Sequence, residues 1–216
     1  MSKELQKRVF TSICLLSLII LMFFYTYILI VALMIISIIS WIEFNALISK
    51  ILKQNDTKNN LLRFLYKSIS LIYLSFLNYL ILITKLQNPE FEIFIIYSIL
   101  VSISSDMGGL IVGKIIKGKK LTKISPNKTI SGSIGAFIFS LFLVPFLIIY
   151  SNSFDLITIV MTTLLISLVS QLGDLFVSFL KRKAKVKDTS DLLPGHGGIL
   201  DRIDGIIFAI PVGFFI

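Results

Sequence analysis

Apolar residues come in long uninterrupted runs, with polar residues confined to short islands between them. The runs are Val9 to Trp41, Leu65 to Ile83, Phe91 to Ile116, Thr129 to Tyr150, Phe154 to Leu180 and Ile199 to Ile216. A helix needs roughly 20 residues to cross the hydrocarbon of a bilayer, so most of these runs suit one crossing. The first is long enough for two short crossings, with a turn expected near Tyr25 to Tyr27. The pattern predicts an all-α, polytopic integral membrane bundle of about seven transmembrane helices. The polar islands are too short to enclose a core of their own, so residues 1–216 read as one membrane-embedded domain.

Composition agrees with that pattern. Hydrophobic residues make up 56% and charged residues 15% of the chain, where soluble domains carry about 25% charged residues. Val9 to Trp41 is much longer than the apolar core of a secretory signal and has no small-residue cleavage site before the next apolar stretch, so it is expected to be retained. Cys14 is the only cysteine, which excludes an internal disulfide or a thiolate metal cluster.

Lys and Arg outnumber Asp and Glu by 21 to 12. In a membrane chain this excess follows from the preference of cations for the cytoplasmic side rather than from binding nucleic acid. With seven spans and the N-terminus inside, the cytoplasmic pieces are Met1 to Arg8, Ser49 to Lys67, Lys114 to Lys128 and Lys181 to Arg202. They hold every cation except Lys85. Lys50 to Asn60 reads as a solvated linker. Trp41 and Glu43 read as an interface anchor with a polar neighbour, not as part of a site.

Two of the islands have carboxylates in the adjoining spans. Ionisable groups inside a membrane cost several kcal/mol unless they pair, ligate or face water, so Asp106, Asp174, Asp201 and Asp204 need explaining. In "SQLGDLFVSFLKRK", Asp174, Ser178 and Lys181 share one helical stripe at i, i+4 and i+7. That stripe is either a polar track into the bilayer or a membrane salt bridge from Asp174 to Lys181 or to a neighbouring helix. In "GHGGILDRIDG", Asp201 and Asp204 fall one turn apart on a single helix, with Arg202 turned away. Paired carboxylates without cysteine suit a hard cation, Mg²⁺ above all, which binds through one or two carboxylates plus substrate phosphates. Lys181, Arg182, Lys183, Lys185 and Lys187 precede glycines whose backbone amides can approach a phosphate. His196 reads as an interfacial hydrogen-bonding residue or as a phosphate or proton-transfer group. In the other island Gly108, Gly109 and Gly113 permit close helix approach. "SPNKT", residues Ser125 to Thr129, is either a helix-start cap or a contact to nucleotide phosphate.

These residues resemble a known signature. "SFLKRKAKVKDTSDLLPGHGGILDRID" is similar to that of the phosphatidate cytidylyltransferases, also called CDP-diacylglycerol synthases: S-x-x-K-R, then K-D, then P-x-H-G-G-x-x-D-R-x-D. "GDLFVS" and "SPNKT" resemble the family's G-D-L-x-x-S and S-P-x-K-T. The likeness is strongest from Asp106 to Asp204, which places the catalytic part at about 104–205. Ser131 departs from it, standing where the family usually has an acidic residue.

The resemblance implies transfer of a cytidylyl group from CTP to phosphatidate, giving CDP-diacylglycerol and pyrophosphate. It implies Mg²⁺ held by Asp174, Asp201 and Asp204, with Ser178 and Lys181 completing the catalytic set. Arg182, Lys187, Asp188, His196, Gly197, Gly198, Arg202, Ser125, Lys128 and Thr129 are its implied substrate-binding residues. The expected partners are CTP, phosphatidate and membrane lipid, with no nucleic acid; a homodimer is left open. The expected location is a bacterial inner membrane, with the site facing the cytoplasm. The alternative is a non-catalytic membrane protein that transports lipid or ions.

Overall fold

The computed structural model describes residues 3–52, 57–87, 92–122, 125, 128–150, 154–193, 195 and 197–215, with side chains from Ile13 onward. Among them the chain is helical: α1 (Lys3–Phe24), α2 (Thr26–Ile51), α3 (Thr57–Gln87), α4 (Glu92–Ile116), α5 (Ile130–Leu141), α6 (Val144–Tyr150), α7 (Leu156–Lys183), α8 (Leu200–Ile203) and α9 (Ile206–Phe214). Five stretches are long and apolar enough to cross a membrane: α2, α3, α4, α7, and α5 with α6 taken together over Ile130–Tyr150. The large apolar side chains they leave uncovered, such as Tyr27, Ile115 and Ile149, are at least 75% exposed. Only lipid can solvate such a surface, and the protein is an integral membrane helix bundle.

The expected turn in the first run is a single-residue break. Tyr25 is extended, with φ −119° and ψ 106°, while Tyr25 N still donates to Leu21 O and Leu29 N to Tyr25 O. The last apolar run departs from expectation, because it is not one continuous helix. The amide of Gly205 takes the Asp204 side chain (Oδ1, 3.0 Å) as its acceptor, and α8 ends before α9 begins. A short side chain that competes for backbone donors interrupts a helix in this way. Asp201 and Asp204 are therefore not successive turns of one regular helix. The nine residues of α9 rise only about 14 Å at 1.5 Å per residue.

The chain divides into two compact units. The first comprises residues 1–85 and 180–202, the second residues 86–179 and 203–216. In the first, α2 and α3 are joined by polar bonds: Ser37 Oγ donates to Asn78 Oδ1 (3.0 Å) and the Trp41 indole N–H to Lys67 O (3.0 Å). The residue read as an interface anchor thus also ties two helices together.

In the second unit Tyr97, Val101, Leu147, Ile159, Ile166 and Ala209 are core residues. Lipid supplies little apolar drive between helices, so close packing and hydrogen bonds carry the association. A Cβ on Gly108 of α4 would lie 2.6 Å from Gly135 O of α5, and one on Gly135 would lie 2.4 Å from Val112 Cβ. The α4–α7 seam is a ladder of hydroxyl pairs: Tyr97–Thr163 at 2.5 Å, Ser102–Ser170 at 2.7 Å and Ser105–Ser167 at 2.9 Å.

Thr163 Oγ1 also donates to Ile159 O at 2.6 Å, so at the first rung its one hydrogen is committed and Tyr97 is the donor. The two deletions are therefore unequal. Tyr97→Phe leaves Thr163 satisfied and should cost about 0.6 kcal/mol, the usual interhelical value. Thr163→Val strands the hydroxyl of a fully buried tyrosine, at a cost of about 1–3 kcal/mol. Thermal unfolding in detergent should place Thr163→Val below Tyr97→Phe; the reverse order would mean that the donor assignment is wrong.

Candidate active site

The charged loop after α7 belongs to the first unit, and it begins with a helix stop. Val186 N reaches back to Lys181 O and Lys185 N to Arg182 O, with Lys185 in the left-handed region at φ 57°. These are the bonds of a Schellman ending, in which a residue with positive φ lets two amides cap the last carbonyls. Farther on, Leu193 and Gly197 exchange both backbone hydrogen bonds, at 2.8 and 3.1 Å. They close a turn in which Gly195 and Gly197 take positive φ. His196 lies inside this turn but outside the described residues.

Two carboxylates bind the loop together. Glu43 of α2 is 3% exposed and accepts four hydrogen bonds. Ser190 Oγ (2.6 Å) and Ile199 N (3.1 Å) reach Oε1; Thr189 Oγ1 (2.8 Å) and Leu200 N (2.8 Å) reach Oε2. Asp201 is the second. Its Oδ1 takes Lys181 Nζ at 2.6 Å. Its Oδ2 takes Thr189 N (2.8 Å) and Gly198 N (3.2 Å), and shares with Glu43 Oε2 the single hydrogen of Thr189 Oγ1, 2.9 Å away. Asp201 lies outside the five long spans, and its carboxyl is held below the ordinary carboxylate range. Burial alone would raise it, but the hydrogen bonds and charge of Lys181 and the donors of Thr189 outweigh that.

The second unit holds the other set. Asp174 of α7 forms an ion pair with Lys128 and accepts a long bond from Ser178 Oγ at 3.3 Å. Asp106 of α4 lies within electrostatic reach of both Asp174 and Lys128. The loop that delivers Lys128 is narrow: Leu121 N donates to Lys128 O (2.8 Å), Lys128 N to Ser125 O (3.1 Å) and Ile130 N to Lys119 O (3.0 Å). Thr129 caps α5, its Oγ1 accepting from Gly132 N at 3.0 Å, so the helix-start role is filled. Ser131 donates to Lys117 O and lies 3.0 Å from Thr129 Oγ1. It thereby fastens a turn where Lys117 and Gly118 both have positive φ. Asp204 is buried, at 8% exposure.

Of the residues singled out in the sequence, the structure brings Lys181 together with Asp201, Gly198 adjoining them, and Lys128 together with Asp174 and Ser178. Asp174 therefore finds its cation in the loop before α5, not in Lys181. Arg182, Lys187, Asp188 and Arg202 are exposed along the loop and its end. Glu43 is the residue that sequence reasoning missed. Its signal was an acidic residue inside an apolar helix, but its donors follow about 150 positions later in the chain.

Among the described residues no group of three or more His, Cys, Asp or Glu side chains is gathered to hold a metal ion. The donor chemistry nevertheless fits Mg²⁺, which takes oxygen and relies on substrate phosphates for much of its shell. Among the described residues Asp201 Oδ1 accepts from Lys181 alone, which leaves one of its lone pairs for a cation.

A hydrogen-bonded carboxylate and lysine thus sit beside a glycine turn on a helical membrane scaffold. The chain belongs to the cytidylyltransferase family, whose model matches residues 1–216. It is 42% identical over 125 residues to the phosphatidate cytidylyltransferase of Bacillus subtilis (strain 168), a match covering 57% of this chain and 46% of that protein. Proteins of the same name from Staphylococcus haemolyticus (strain JCSC1435) and Rickettsia bellii (strain RML369-C) are each 43% identical over 122 residues. Those matches cover 55% and 52% of this chain, and 46% and 52% of the respective relatives. The chain thus spans about half the length of the curated relatives it matches.

Proposed function

We propose that this protein transfers a cytidylyl group from CTP to phosphatidate, releasing pyrophosphate and forming CDP-diacylglycerol. The observation that carries the reading is the Lys181–Asp201 pair beside the glycine turn, within a stretch that resembles the family signature, in a chain 42–43% identical over part of its length to proteins named phosphatidate cytidylyltransferase. An oxygen of the lipid phosphate attacks the α-phosphorus of CTP, and the bond from that phosphorus to the bridging oxygen of the β-phosphate breaks as pyrophosphate leaves. The attacking phosphate is already ionised, so neither a strong general base nor a covalent intermediate is required.

Lys181, Arg182, Lys187 and Arg202 offset the charge of the phosphates, and Ser178 donates a hydrogen bond. Gly197 and Gly198 let the backbone approach a phosphate, with His196 and Asp188 in the same loop; Ser125, Lys128 and Thr129 serve the nucleotide. Mg²⁺ at Asp174, Asp201 and Asp204 is part of the proposal, and when bound it neutralises phosphate charge. The distribution of cations along the chain and the bacterial relatives support a plasma membrane location with the site on the cytoplasmic side. The reaction as proposed involves no nucleic acid.

The test is release of pyrophosphate and labelled lipid from CTP labelled at its α-phosphate, using purified protein with phosphatidate in mixed micelles. Turnover should require both phosphatidate and Mg²⁺ and should stop on chelation. Lipid or metal binding without pyrophosphate release would favour a non-catalytic lipid- or ion-handling protein instead.

A further inference from the structure

Glu43 lies on α2, well before the signature in the chain, yet its carboxylate is committed entirely to the signature loop. It accepts two hydroxyls and two backbone amides, all four from residues 189–200. A buried carboxylate answered by four donors is fixed in position, and it fixes whatever carries those donors. The route from Glu43 to the site is short. Thr189 Oγ1 lies 2.8 Å from Glu43 Oε2 and 2.9 Å from Asp201 Oδ2, and Asp201 Oδ1 holds Lys181 at 2.6 Å.

From this geometry we propose that Glu43 is a positioning residue: through Thr189 it holds Asp201 and Lys181 in their working arrangement. The inference rests on the cytidylyltransferase reading for its kinetic consequence, but not for its structural one. Glu43 touches no reacting atom. It replaces the water that the amides of Ile199 and Leu200 would otherwise need, and so keeps the loop closed on α2.

The arrangement is specific to a carboxylate. Each Glu43 oxygen receives one hydroxyl and one backbone N–H. A hydroxyl can turn to accept, but a backbone N–H cannot, so glutamine in either amide orientation sets its NH₂ against Ile199 N or Leu200 N. Thr189→Ser keeps the bridging hydroxyl, whereas Thr189→Val removes it and leaves two carboxylates facing a methyl group.

The experiment compares wild type, Glu43→Gln, Thr189→Val and Thr189→Ser by hydrogen–deuterium exchange in detergent and by CTP turnover. In Glu43→Gln, exchange across residues 189–200 should rise while that of α4 and α7 stays as in wild type. The turnover number should fall roughly 10–100-fold, the usual effect of losing a group that orients a functional side chain, with a smaller change in KM for CTP. Thr189→Val should show the same pattern more weakly, and Thr189→Ser should recover both readouts. Wild-type protection of the loop in Glu43→Gln would overturn the proposal. So would equal loss in Thr189→Ser and Thr189→Val, which also decides the matter if Glu43→Gln does not fold. A wild-type protein that protects the loop but does not turn over CTP would instead defeat the cytidylyltransferase reading and leave the Glu43 contact standing.

Discussion

Asp201→Asn is expected to abolish cytidylyl transfer while leaving the protein inserted and folded. The expectation follows from where the donors lie. Lys181 Nζ faces Oδ1, and two backbone amides and the Thr189 hydroxyl face Oδ2. Asparagine keeps one acceptor and presents an NH₂ on the other side. Turned one way, that NH₂ opposes the ammonium of Lys181; turned the other way, it opposes the amides of Thr189 and Gly198. Either orientation also removes the charge that holds Lys181, whose side chain is 14% exposed beside an Asp201 side chain at 5%.

Removing one member of a fully buried ion pair costs about 3–5 kcal/mol, and the partial exposure of Lys181 sets the cost here toward the lower end of that range. If that cost falls on the arrangement that binds the phosphates, turnover drops by at least about a hundredfold, since 1.4 kcal/mol is a factor of ten. Asp174→Asn should act in the same direction by freeing Lys128 from its partner. Turnover within threefold of wild type for Asp201→Asn, in protein that elutes as a single detergent-solubilised species, would rule out the assignment of Asp201 to the site.

Why Lys181 and Asp201 could be read from sequence while Glu43 could not is a matter of range. Hydropathy is local, so the apolar runs, and even the break at Tyr25, were legible from neighbouring residues. The stripe of Asp174, Ser178 and Lys181 was legible for the same reason, since helical spacing fixes which positions align. The choice of ion-pair partner was not, because it depends on loops. Lys128 is carried to Asp174 by the ladder between Leu121 and Lys128, and no periodicity encodes that closure. Thr129 showed the opposite ambiguity: a Ser/Thr-rich helix start fits both a cap and a phosphate contact, and the backbone amide of Gly132 takes the hydroxyl. The end of α8 turned on one side chain, Asp204, claiming an amide that the helical pattern assigns to a carbonyl.

Gly198→Ala should be the most damaging of the small substitutions in the loop. A Cβ at Gly198 would lie 2.0 Å from Thr189 Oγ1 and 2.6 and 2.7 Å from the two oxygens of Glu43. None of these atoms can step aside cheaply, because the carboxylate is held by four donors and the hydroxyl lies between two carboxylates. The methyl group must therefore displace the loop from α2, breaking the Glu43 contacts and disturbing Asp201 with them. Gly197→Ala gives the contrast. There the contact to Asp201 Oδ2 is 3.2 Å and the backbone has φ +83°, so the main cost is left-handed strain of about 1–2 kcal/mol.

In the CTP assay Gly198→Ala should lose at least about a hundredfold, as for a broken buried network, and Gly197→Ala clearly less. The double variant Glu43→Ala/Gly198→Ala decides whether steric conflict with the carboxylate is the cause. Removing Glu43 takes away two of the three clashing atoms and one of the two carboxylates that hold the Thr189 hydroxyl in place, so the double variant should lose clearly less than the sum of the two single losses. Residues that act through one contact are non-additive in this way. Full additivity of the two losses would mean that Gly198 matters for its own approach to a phosphate and not for its fit against Glu43.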